Sequence, residues 1–379
     1  MISESPVSRR NWLRSGLALG GAAFLGLPPL QADETPIPFL DPQPVRPERP
    51  MIQWEQLTSW ITPNDQFFFV AHYGYPDTRA EGWSLSIEGL VEKPRSISIE
   101  ELKRMPKREF TATLECAGNG SSPGFMGGIG NARWTGTPLA PILKQCGIRK
   151  EGIEVVFYGA DQGTEKIRGR EYPQNFARSL AVDDTLNDKI LVCWEMNGQP
   201  LDNKHGGPLR LVVPGWYGVA WVKWMNRIEV QDRRYMGRFM GRDYVTIRGE
   251  QRGDQVIWRE MSVGRMNLKS IVARVTRLAD GTIRIAGAVW NDGTPLRSVE
   301  LKIDSEDWTK VRITEGANEP HCWKFWTYDW KNAPAGEHTL VSRASDARGV
   351  TQPAADDPEI AMKRTYWEAY QQTPRRIRL

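Results

Sequence analysis

Hydrophobic and polar positions alternate in short runs along this chain, and helix-like segments separate some of these runs. In the first two thirds of the chain, residues 84–88 and 154–158 combine β-branched or aromatic residues in the pattern of strands. A helix-like segment begins at Ser98, which has the position of an N-cap, and Glu101 has the capping-box position three residues later. The pattern predicts a mixed α+β domain over residues 51–265.

The last third of the chain has a different pattern, in which turn residues separate short strand-like runs. Such runs occupy residues 270–278, 281–290, 298–304, 324–330 and 337–346. Several short strands joined by turns are typical of a β-sandwich. We therefore predict a second, all-β domain over residues 266–379.

The first fifty residues have the composition of a targeting segment followed by an arm. Arg9 and Arg10 precede an aromatic residue and a weakly hydrophobic stretch that is rich in Gly, Ala and Leu. Paired arginines in this context resemble a twin-arginine export signal over residues 1–32, and the alternative is an ordinary basic segment before an apolar run. Export would bring the protein to the periplasm or another exported compartment. Residues 33–50 are rich in proline and predict an extended arm.

Composition narrows the class of protein only slightly. The chain has 379 residues, enough for two domains, and its formal charge of +4 is too small and too dispersed to indicate a nucleic-acid partner. Its four cysteines show neither zinc-type spacing nor a haem-attachment motif. Cys146 and Cys193 lie in apolar segments and are most simply core residues, and no disulfide is predicted.

The most informative short segment is TLECAGNG, at residues 113–120, because it places one cysteine at the end of a strand. Gly118, Asn119 and Gly120 tolerate the backbone conformations of a tight turn. Cys116 is therefore predicted at a sharp bend where its side chain reaches a ligand. A thiolate at such a bend suits a soft metal or a nucleophilic role. A buried structural cysteine is the alternative that these residues leave open.

Several motifs in order along the chain resemble the sulfite oxidase family of molybdenum enzymes. They are CAGN at residues 116–119, ARWTG at 132–136, HGGPLRLVVPG at 205–215 and WVKW at 221–224. The resemblance implies a molybdopterin-binding α+β domain followed by an immunoglobulin-like dimerisation domain. It also implies a molybdenum–molybdopterin cofactor, with Cys116 as the protein ligand to the metal.

The same resemblance implies a set of cofactor-binding residues, namely His72, Asn119, His205, Arg210 and Lys223. The residues themselves agree in part, because an arginine inside a strand as apolar as residues 209–213 needs an anion nearby. Taken singly, Lys223 could be a solvated strand residue and His205 a turn residue. Their spacing as a set favours the cofactor.

Two further residues are implied as catalytic, together with Cys116. Tyr244 lies as far after Lys223 as the family's active-site tyrosine lies after its lysine. It could donate a hydrogen bond to substrate or assist proton transfer. Asp161 matches a family aspartate near the metal. The alternative for Tyr244 is an interface tyrosine in an arginine-rich loop.

Two positions depart from the sulfite oxidase pattern. Val70 and Ser121 stand where typical members have arginines that bind the substrate, and Lys363 or Arg364 is the nearest match to a third such cation. Cations of this kind normally hold a sulfite dianion, so we expect poor turnover of sulfite. The segment at residues 212–224 resembles the sulfane dehydrogenase branch of the family more than it resembles the vertebrate oxidases.

The resemblance implies an exported oxidoreductase that carries out two-electron oxygen-atom transfer on a small sulfur compound. Without a fused haem domain, such an enzyme is expected to pass electrons to an external carrier such as a c-type cytochrome, and a homodimer is expected. Sequence alone leaves two alternatives open. One is a reductase of sulfoxides with the same centre, and the other is a cofactor-free binding or assembly protein on the same fold.

Overall fold

A computed structural model describes residues 34–41, 50–122, 125–316 and 318–379. The predicted twin-arginine signal at residues 1–32 lies outside the described residues, as do residues 42–49 of the predicted arm. Within the described ranges, no helix combines the length and the apolarity needed to cross a bilayer.

Strands make up most of the secondary structure in the described residues. In chain order they are β1 Thr35–Pro36, β2 Ser84–Gly89, β3 Arg95–Ser98, β4 Arg108–Glu115, β5 Ile129–Pro138, β6 Glu154–Ile167, β7 Arg170–Ala181, β8 Leu191–Met196, β9 Gln199–Pro200, β10 Arg210–Val212, β11 Met225–Gln231, β12 Val245–Arg252, β13 Gln255–Ser262, β14 Lys269–Arg277, β15 Ile283–Trp290, β16 Leu296–Ile303, β17 Thr309–Lys310, β18 Arg312–Glu315, β19 Lys324–Trp330, β20 Glu337–Asp346 and β21 Arg375–Arg378.

The helices are short. In chain order they are α1 Ile99–Arg104, α2 Leu139–Cys146, α3 Val182–Thr185, α4 Arg238–Gly241 and α5 Pro358–Ala361, with single 3₁₀ turns at Trp54–Gln56, Asn64–Gln66 and Gly218–Ala220. The predicted mixture of strands and helices is confirmed, but strands predominate more than the sequence pattern indicates.

Several local predictions are confirmed at the level of single residues. The Ser98 hydroxyl accepts a hydrogen bond from the Glu101 backbone N–H at 3.1 Å, so α1 begins at its predicted cap. The runs predicted at residues 324–330 and 337–346 are β19 and β20. The run predicted at 154–158 is longer than expected, because β6 continues through an irregularity between Tyr158 and Gln162.

Two sheets form the framework of the described residues before Lys269. One has the strand order β10–β8–β5–β4, and the other has the order β3–β2–β11–β6–β7. β2 and β11 are parallel, whereas the neighbouring pairs are antiparallel. Cys116 directly follows the end of β4, and Arg210 begins β10. Strands of the first sheet therefore carry two of the predicted site residues.

Two further sheets pack face to face in the last third of the chain, as the sequence pattern predicts. Their strand orders are β1–β14–β15–β19–β18 and β17–β16–β20–β21. Val272 and Ile285 of the first sheet share a buried apolar core with Leu301 and Leu340 of the second. The immunoglobulin-like character of this two-sheet unit and its role in dimerisation stay predictions.

The strand β14 joins this two-sheet unit to the rest of the molecule. Its residues Ile271 and Ala273 belong to the large core of the preceding sheets, whereas Val272 and Val275 belong to the core between the two C-terminal sheets. Alternate side chains of a strand point to opposite faces, and an irregularity between Val272 and Arg274 shifts the alternation so that Val275 joins Val272. One strand therefore serves both cores. The described part of the N-terminal arm also lies here, since β1 pairs with β14.

A C-terminal strap, residues 362–371, runs from the β12–β13 hairpin to the bend at Cys116. The Gly249 N–H donates to the Met362 carbonyl at 3.0 Å, which attaches the strap to β12. Further along, the Glu368 N–H donates to the Ala117 carbonyl at 2.7 Å. The strap therefore borders the loop that carries the predicted metal ligand.

Candidate active site

One cleft brings together most of the predicted site residues. It contains about 670 Å³ of empty space, part of it open to solvent. Its lining includes seven of those residues, namely His72, Cys116, Asp161, His205, Arg210, Lys223 and Tyr244. These positions are far apart in the chain, so the fold rather than local sequence creates the site.

Cys116 is the most accessible of the four cysteines. It is partly exposed, whereas Cys146, Cys193 and Cys322 are buried and unpaired. Burial raises the pKa of the Cys193 thiol to about 12, so that thiol stays protonated. The Cys116 backbone is fixed on both sides, because its N–H donates to the Gly128 carbonyl at 2.8 Å and its carbonyl accepts from Asn119 at 2.9 Å. The predicted bend at this cysteine is present.

The structure places Asn119 behind the cleft and not in its lining. Its side chain is fully buried, with Oδ1 accepting from the Gly128 N–H at 3.0 Å. Its Nδ2 donates to Glu115 Oε1 at 3.0 Å. The side chain thus braces the bend around Cys116, although the family resemblance implies that it binds the cofactor.

Arg210 is a buried cation with an unsatisfied donor. It is 4% exposed, and burial lowers the pKa of its guanidinium to about 10. Nη1 donates to the His205 carbonyl at 2.8 Å and Nη2 to the Trp221 carbonyl at 3.3 Å, but Nε has no hydrogen-bond partner. The Trp134 ring lies 5.0 Å from the guanidinium carbon. A buried guanidinium held in this way suits an anionic ligand.

His205 and Lys223 lie beside Arg210 at the same end of the cleft. His205 Nδ1 lies 2.8 Å from Asp202 Oδ1, and its Nε2 lies 3.2 Å from the Phe67 carbonyl. Both ring nitrogens are therefore fixed by oxygen acceptors. The Lys223 Nζ donates to the Lys204 carbonyl at 3.0 Å. The side chains of Arg210 and Lys223 place two cations at this end of the cleft.

Asp161 supplies a buried acceptor. The residue is 3% exposed, and its Oδ1 has no hydrogen-bond partner. Burial raises the pKa of this carboxyl to about 6, and the charge of Lys223 opposes that shift. An unsatisfied buried oxygen of this kind is expected to accept a hydrogen bond from a bound ligand.

Tyr244 and His72 form a hydrogen-bonded pair in the cleft. The Tyr244 Oη and His72 Nε2 atoms lie 2.8 Å apart. Tyr244 is 5% exposed, and burial raises the pKa of its phenol well above the ordinary value. The phenol is therefore protonated at neutral pH and can act as a hydrogen-bond donor. His72 also packs against the Phe176 and Phe239 rings, at 5.4 and 4.7 Å between centroids.

The C-terminal strap adds an aromatic wall that the sequence analysis missed. The Trp367 ring stacks on Tyr244 with a centroid distance of 4.1 Å and an interplanar angle of 22°, and Tyr366 lies 4.0 Å from Trp367. Added side-chain atoms at Gly118 would meet both strap rings within 4 Å. The adjacent Tyr-Trp pair near the C-terminus was the available signal, but nothing local in the sequence connects it to Cys116.

The positions that depart from the sulfite oxidase pattern lie in different surroundings. Val70 lines the cleft and contributes an apolar side chain there. Ser121 is exposed in the turn after Asn119, and it does not line the cleft. Lys363 lies on the strap opposite Arg248, and burial lowers the pKa of its ammonium group to about 8. The cleft lining therefore includes neither of the C-terminal cations considered as a substitute.

The donor set of the cleft fits a molybdenum–molybdopterin cofactor. An accessible thiol suits the metal, whereas the cations near Arg210 suit a phosphate. The orphaned Arg210 Nε and Asp161 Oδ1 atoms offer a donor and an acceptor that a polar heterocycle satisfies. The two cleft-lining side-chain atoms that lack protein partners among the described residues are thus groups that this cofactor can satisfy.

Comparison with known proteins supports the same assignment. Residues 72–239 match the family described as "Oxidoreductase molybdopterin binding domain". Sulfite oxidase from Arabidopsis thaliana is 30% identical over 284 residues, which cover 68% of this chain and 72% of the plant protein. Sulfite oxidase from Gallus gallus is 30% identical over 79% of this chain and 69% of the chicken protein.

A more distant relative and a solved structure extend the comparison. Nitrate reductase [NADH] 1 from Phaseolus vulgaris is 27% identical over 78% of this chain, but the match spans 37% of that longer protein. The crystal structure of the sulfane dehydrogenase SoxCD from Paracoccus pantotrophus contains a chain that superposes with a TM-score of 0.74 and 26% identity. The superposition covers 98% of this chain and 92% of that chain. The chain therefore belongs to the sulfite oxidase family and is a molybdopterin-dependent oxidoreductase that uses a molybdenum–molybdopterin cofactor.

Proposed function

We propose that this enzyme is exported, carries out two-electron oxygen-atom transfer on a sulfur compound, and passes the electrons to a separate carrier. One observation supports the chemistry above all others: Cys116 shares a single cleft with the His72–Tyr244 pair. The same cleft includes His205, Arg210 and Lys223. A soft metal ligand, a proton-handling pair and an anion-binding end are the parts that such an enzyme needs.

Each group in the cleft has a distinct role in this proposal. Cys116 supplies the thiolate that ligates the metal, and Arg210 with His205 and Lys223 holds the anionic part of the cofactor. Asp161 accepts a hydrogen bond from the heterocycle. When bound, the cofactor supplies reversible two-electron chemistry at molybdenum.

The His72–Tyr244 pair handles a proton on the side of the cleft that faces the strap. Because Tyr244 stays protonated at neutral pH, its hydroxyl donates a hydrogen bond to substrate oxygen or to His72 Nε2. When the hydroxyl donates to substrate, the phenol oxygen can in turn accept a hydrogen bond from the Nε2–H tautomer of His72. In the oxidative direction, the overall reaction takes an oxygen atom from water and releases two protons and two electrons to the carrier.

The surroundings of the pair support a less charged substrate than sulfite. Val70 replaces a family arginine in the cleft lining, and Trp367 and Tyr366 border the bend at Cys116. Aromatic and aliphatic walls favour a neutral or larger sulfur group over a small dianion. The same wall suits a neutral sulfoxide, so a reductase of sulfoxides is the second candidate function.

Export, an external electron carrier and a homodimer complete the proposal. Arg9 and Arg10 support export through a twin-arginine route, which carries proteins folded around their cofactor. Replacement of both arginines with lysine should leave the loaded precursor in the cytoplasm, and normal export of that variant would contradict this part of the proposal. Light scattering of the purified enzyme tests the homodimer.

The experiment that tests the metal assignment compares wild-type enzyme with Cys116→Ser by X-ray absorption at the molybdenum edge. We expect the metal–sulfur shell to lose one sulfur in the variant, since a hydroxyl is a harder and poorer donor than a thiolate. Cys146→Ala is the matched control, because it removes a buried sulfur that does not line the cleft. An unchanged sulfur shell in Cys116→Ser would show that Cys116 is not the ligand.

A substrate panel then separates the two candidate functions. Wild-type enzyme is assayed with sulfite, larger sulfur compounds and an artificial one-electron acceptor, and separately with sulfoxides and an artificial donor. Oxidation of sulfur compounds supports the dehydrogenase, whereas reduction of sulfoxides alone supports the reductase. A metal-loaded enzyme that is inactive in both arms would contradict the proposed substrate class.

A further inference from the structure

A buried network of charged and polar side chains lies directly behind Cys116. Glu115 is fully buried, and Lys269, the first residue of β14, is 2% exposed. The Lys269 Nζ lies 2.6 Å from Glu115 Oε1, and Trp290 Nε1 donates to Glu115 Oε2 at 2.8 Å. The C-terminal two-sheet unit thus supplies both a cation and an N–H donor to a carboxylate next to the metal ligand.

The network reaches both sides of Cys116. Lys269 Nζ also donates to the Asn119 carbonyl at 3.1 Å, and Asn119 Nδ2 donates to Glu115 Oε1 at 3.0 Å. Asn119 in turn accepts from the Gly128 N–H, whose carbonyl accepts from the Cys116 N–H. A closed set of hydrogen bonds therefore surrounds the bend and fixes the backbone before and after Cys116.

The buried Glu115–Lys269 pair is not expected to add much to the free energy of folding. Removing two charges from water costs about as much free energy as their attraction returns, so apolar residues of similar size stabilise a core equally well. A buried network in which every hydrogen bond is satisfied does, however, restrict its side chains to a single arrangement. Glu115, Asn119 and Lys269 also do not line the cleft. Their geometry therefore indicates orientation of the bend and not direct contact with a ligand.

We infer that the Glu115–Lys269 pair positions Cys116 for metal binding, so that the C-terminal two-sheet unit is a working part of the metal site. The inference rests on the proposed role of Cys116 as the metal ligand. Glu115 and Lys269 are positioning residues, since they act through the backbone of Cys116. Groups that orient a metal ligand from behind typically contribute about 10- to 100-fold to metal affinity.

Three variants test the pair in the cofactor-loaded enzyme. Glu115→Gln leaves the Lys269 charge unpaired, Lys269→Met leaves the carboxylate unpaired, and the double variant removes both charges. We expect each single variant to lower metal retention after dialysis about 10- to 100-fold. We also expect a smaller metal–sulfur shell by X-ray absorption. The double variant should recover most of the lost sulfur shell, because no buried charge is left unpaired.

Glu154→Gln is the matched control for loss of a buried carboxylate. Glu154 is 2% exposed, pairs with Arg234 at 3.3 Å, and does not line the cleft. This control should lower thermal stability without changing the metal–sulfur shell. Trp290→Phe provides a milder change, since it removes one donor to Glu115 and no charge. We expect this variant also to reduce the metal–sulfur shell. If the charge variants do not fold, the sulfur shell of Trp290→Phe tests the positioning role by itself.

The possible outcomes separate this inference from the proposed function. A wild-type sulfur shell and wild-type metal retention in Glu115→Gln, Lys269→Met and Trp290→Phe would overturn the positioning role, provided that Cys116→Ser loses a sulfur. An unchanged shell in Cys116→Ser would instead overturn the ligand assignment itself.

Discussion

The Tyr244 hydroxyl and the His72 ring nitrogen Nε2 lie 2.8 Å apart inside the cleft, although 172 positions separate the two residues in the chain. The Trp367 ring stacks on the face of the Tyr244 ring, with 4.1 Å between the ring centroids. The phenol is thus held by a hydrogen bond through its oxygen and by a ring stack through its face. The phenol oxygen therefore has a fixed position, which proton transfer to a bound substrate requires.

Replacement of Tyr244 with phenylalanine should remove this proton donor and keep the ring stack. We expect kcat to fall about 10²- to 10⁴-fold, which is the usual contribution of a positioned acid or base. Metal content should not change. Tyr158→Phe is the control, because that hydroxyl donates to Glu229 at 3.0 Å and does not line the cleft. Steady-state kinetics with an artificial acceptor measure the effect, and an unchanged kcat would exclude Tyr244 from proton transfer.

Replacement of Arg210 with methionine should weaken cofactor retention. A hydrogen bond to a charged group contributes about 1.5–3 kcal/mol, so its loss weakens binding roughly 10- to 100-fold. Molybdenum content after dialysis measures the change. Arg274→Met is the control. Arg274 is as buried as Arg210, since each residue is 4% exposed, but Arg274 does not line the cleft. Equal metal loss in both variants would mean that general destabilisation is responsible.

Sulfite should be a poor substrate of the wild-type enzyme. One missing charged hydrogen bond at Val70, which lines the cleft, corresponds to about 1.5–3 kcal/mol, or roughly 10- to 100-fold in specificity. The variant Val70→Arg should raise kcat/KM for sulfite. Val70→Gln is the control with a long polar side chain and no charge. A wild-type kcat/KM for sulfite above about 10⁶ M⁻¹s⁻¹, within the range of efficient enzymes, would show that other cations have taken over this role.

The His338–Asp304 pair in the C-terminal two-sheet unit should make stability depend on pH. His338 Nδ1 lies 2.7 Å from Asp304 Oδ2. Burial by itself lowers the pKa of His338, but its hydrogen bonds to Asp304 and Pro334 outweigh burial and raise the pKa above 6.5. The pair therefore stabilises the fold fully below pH 6.5, and this stabilisation is lost as the pH rises through the raised pKa.

Urea unfolding of wild type and Asp304→Asn at a pH below 6.5 and at a higher pH measures this effect. The difference in free energy of unfolding should shrink as the pH rises. The pKa of His321 shifts in the opposite direction. Burial lowers it to about 4, so the folded state favours the neutral form of this ring. A difference that is constant with pH in Asp304→Asn would exclude the linkage.

Sequence patterns predicted the elements whose cause is local. The Ser98 cap and strand β19 depend on neighbouring residues, so their positions were visible in the chain. The exposed hairpin β12–β13 was not predicted, because charged residues interrupt its apolar alternation. The length of β6 was also underestimated, because pairing with the distant part of β7 extends it from the predicted run at residues 154–158 to Ile167.

The site residues also divide into those that continuous sequence motifs reveal and those that only the fold brings together. Residues within continuous motifs, such as Cys116 and Arg210, could be located through the family resemblance, and the cleft brings them together. Trp367 and Lys269 act across 123 and 154 positions, counted from Tyr244 and Glu115. Contacts of that separation leave no periodicity in the chain. The structure is therefore needed to find the strap and the buried pair behind the metal ligand.

The pairing of β1 with β14, together with the bridge between Phe39 and Ile377, has a consequence for the order of events during synthesis. The arm leaves the ribosome well before Ile377, because 338 positions separate Phe39 from Ile377. Translation proceeds at about 5–20 residues per second, so the arm waits many seconds for its partner strand. Docking of the arm can therefore be completed only after Ile377 has been made, so it is a late step in the folding of the described residues.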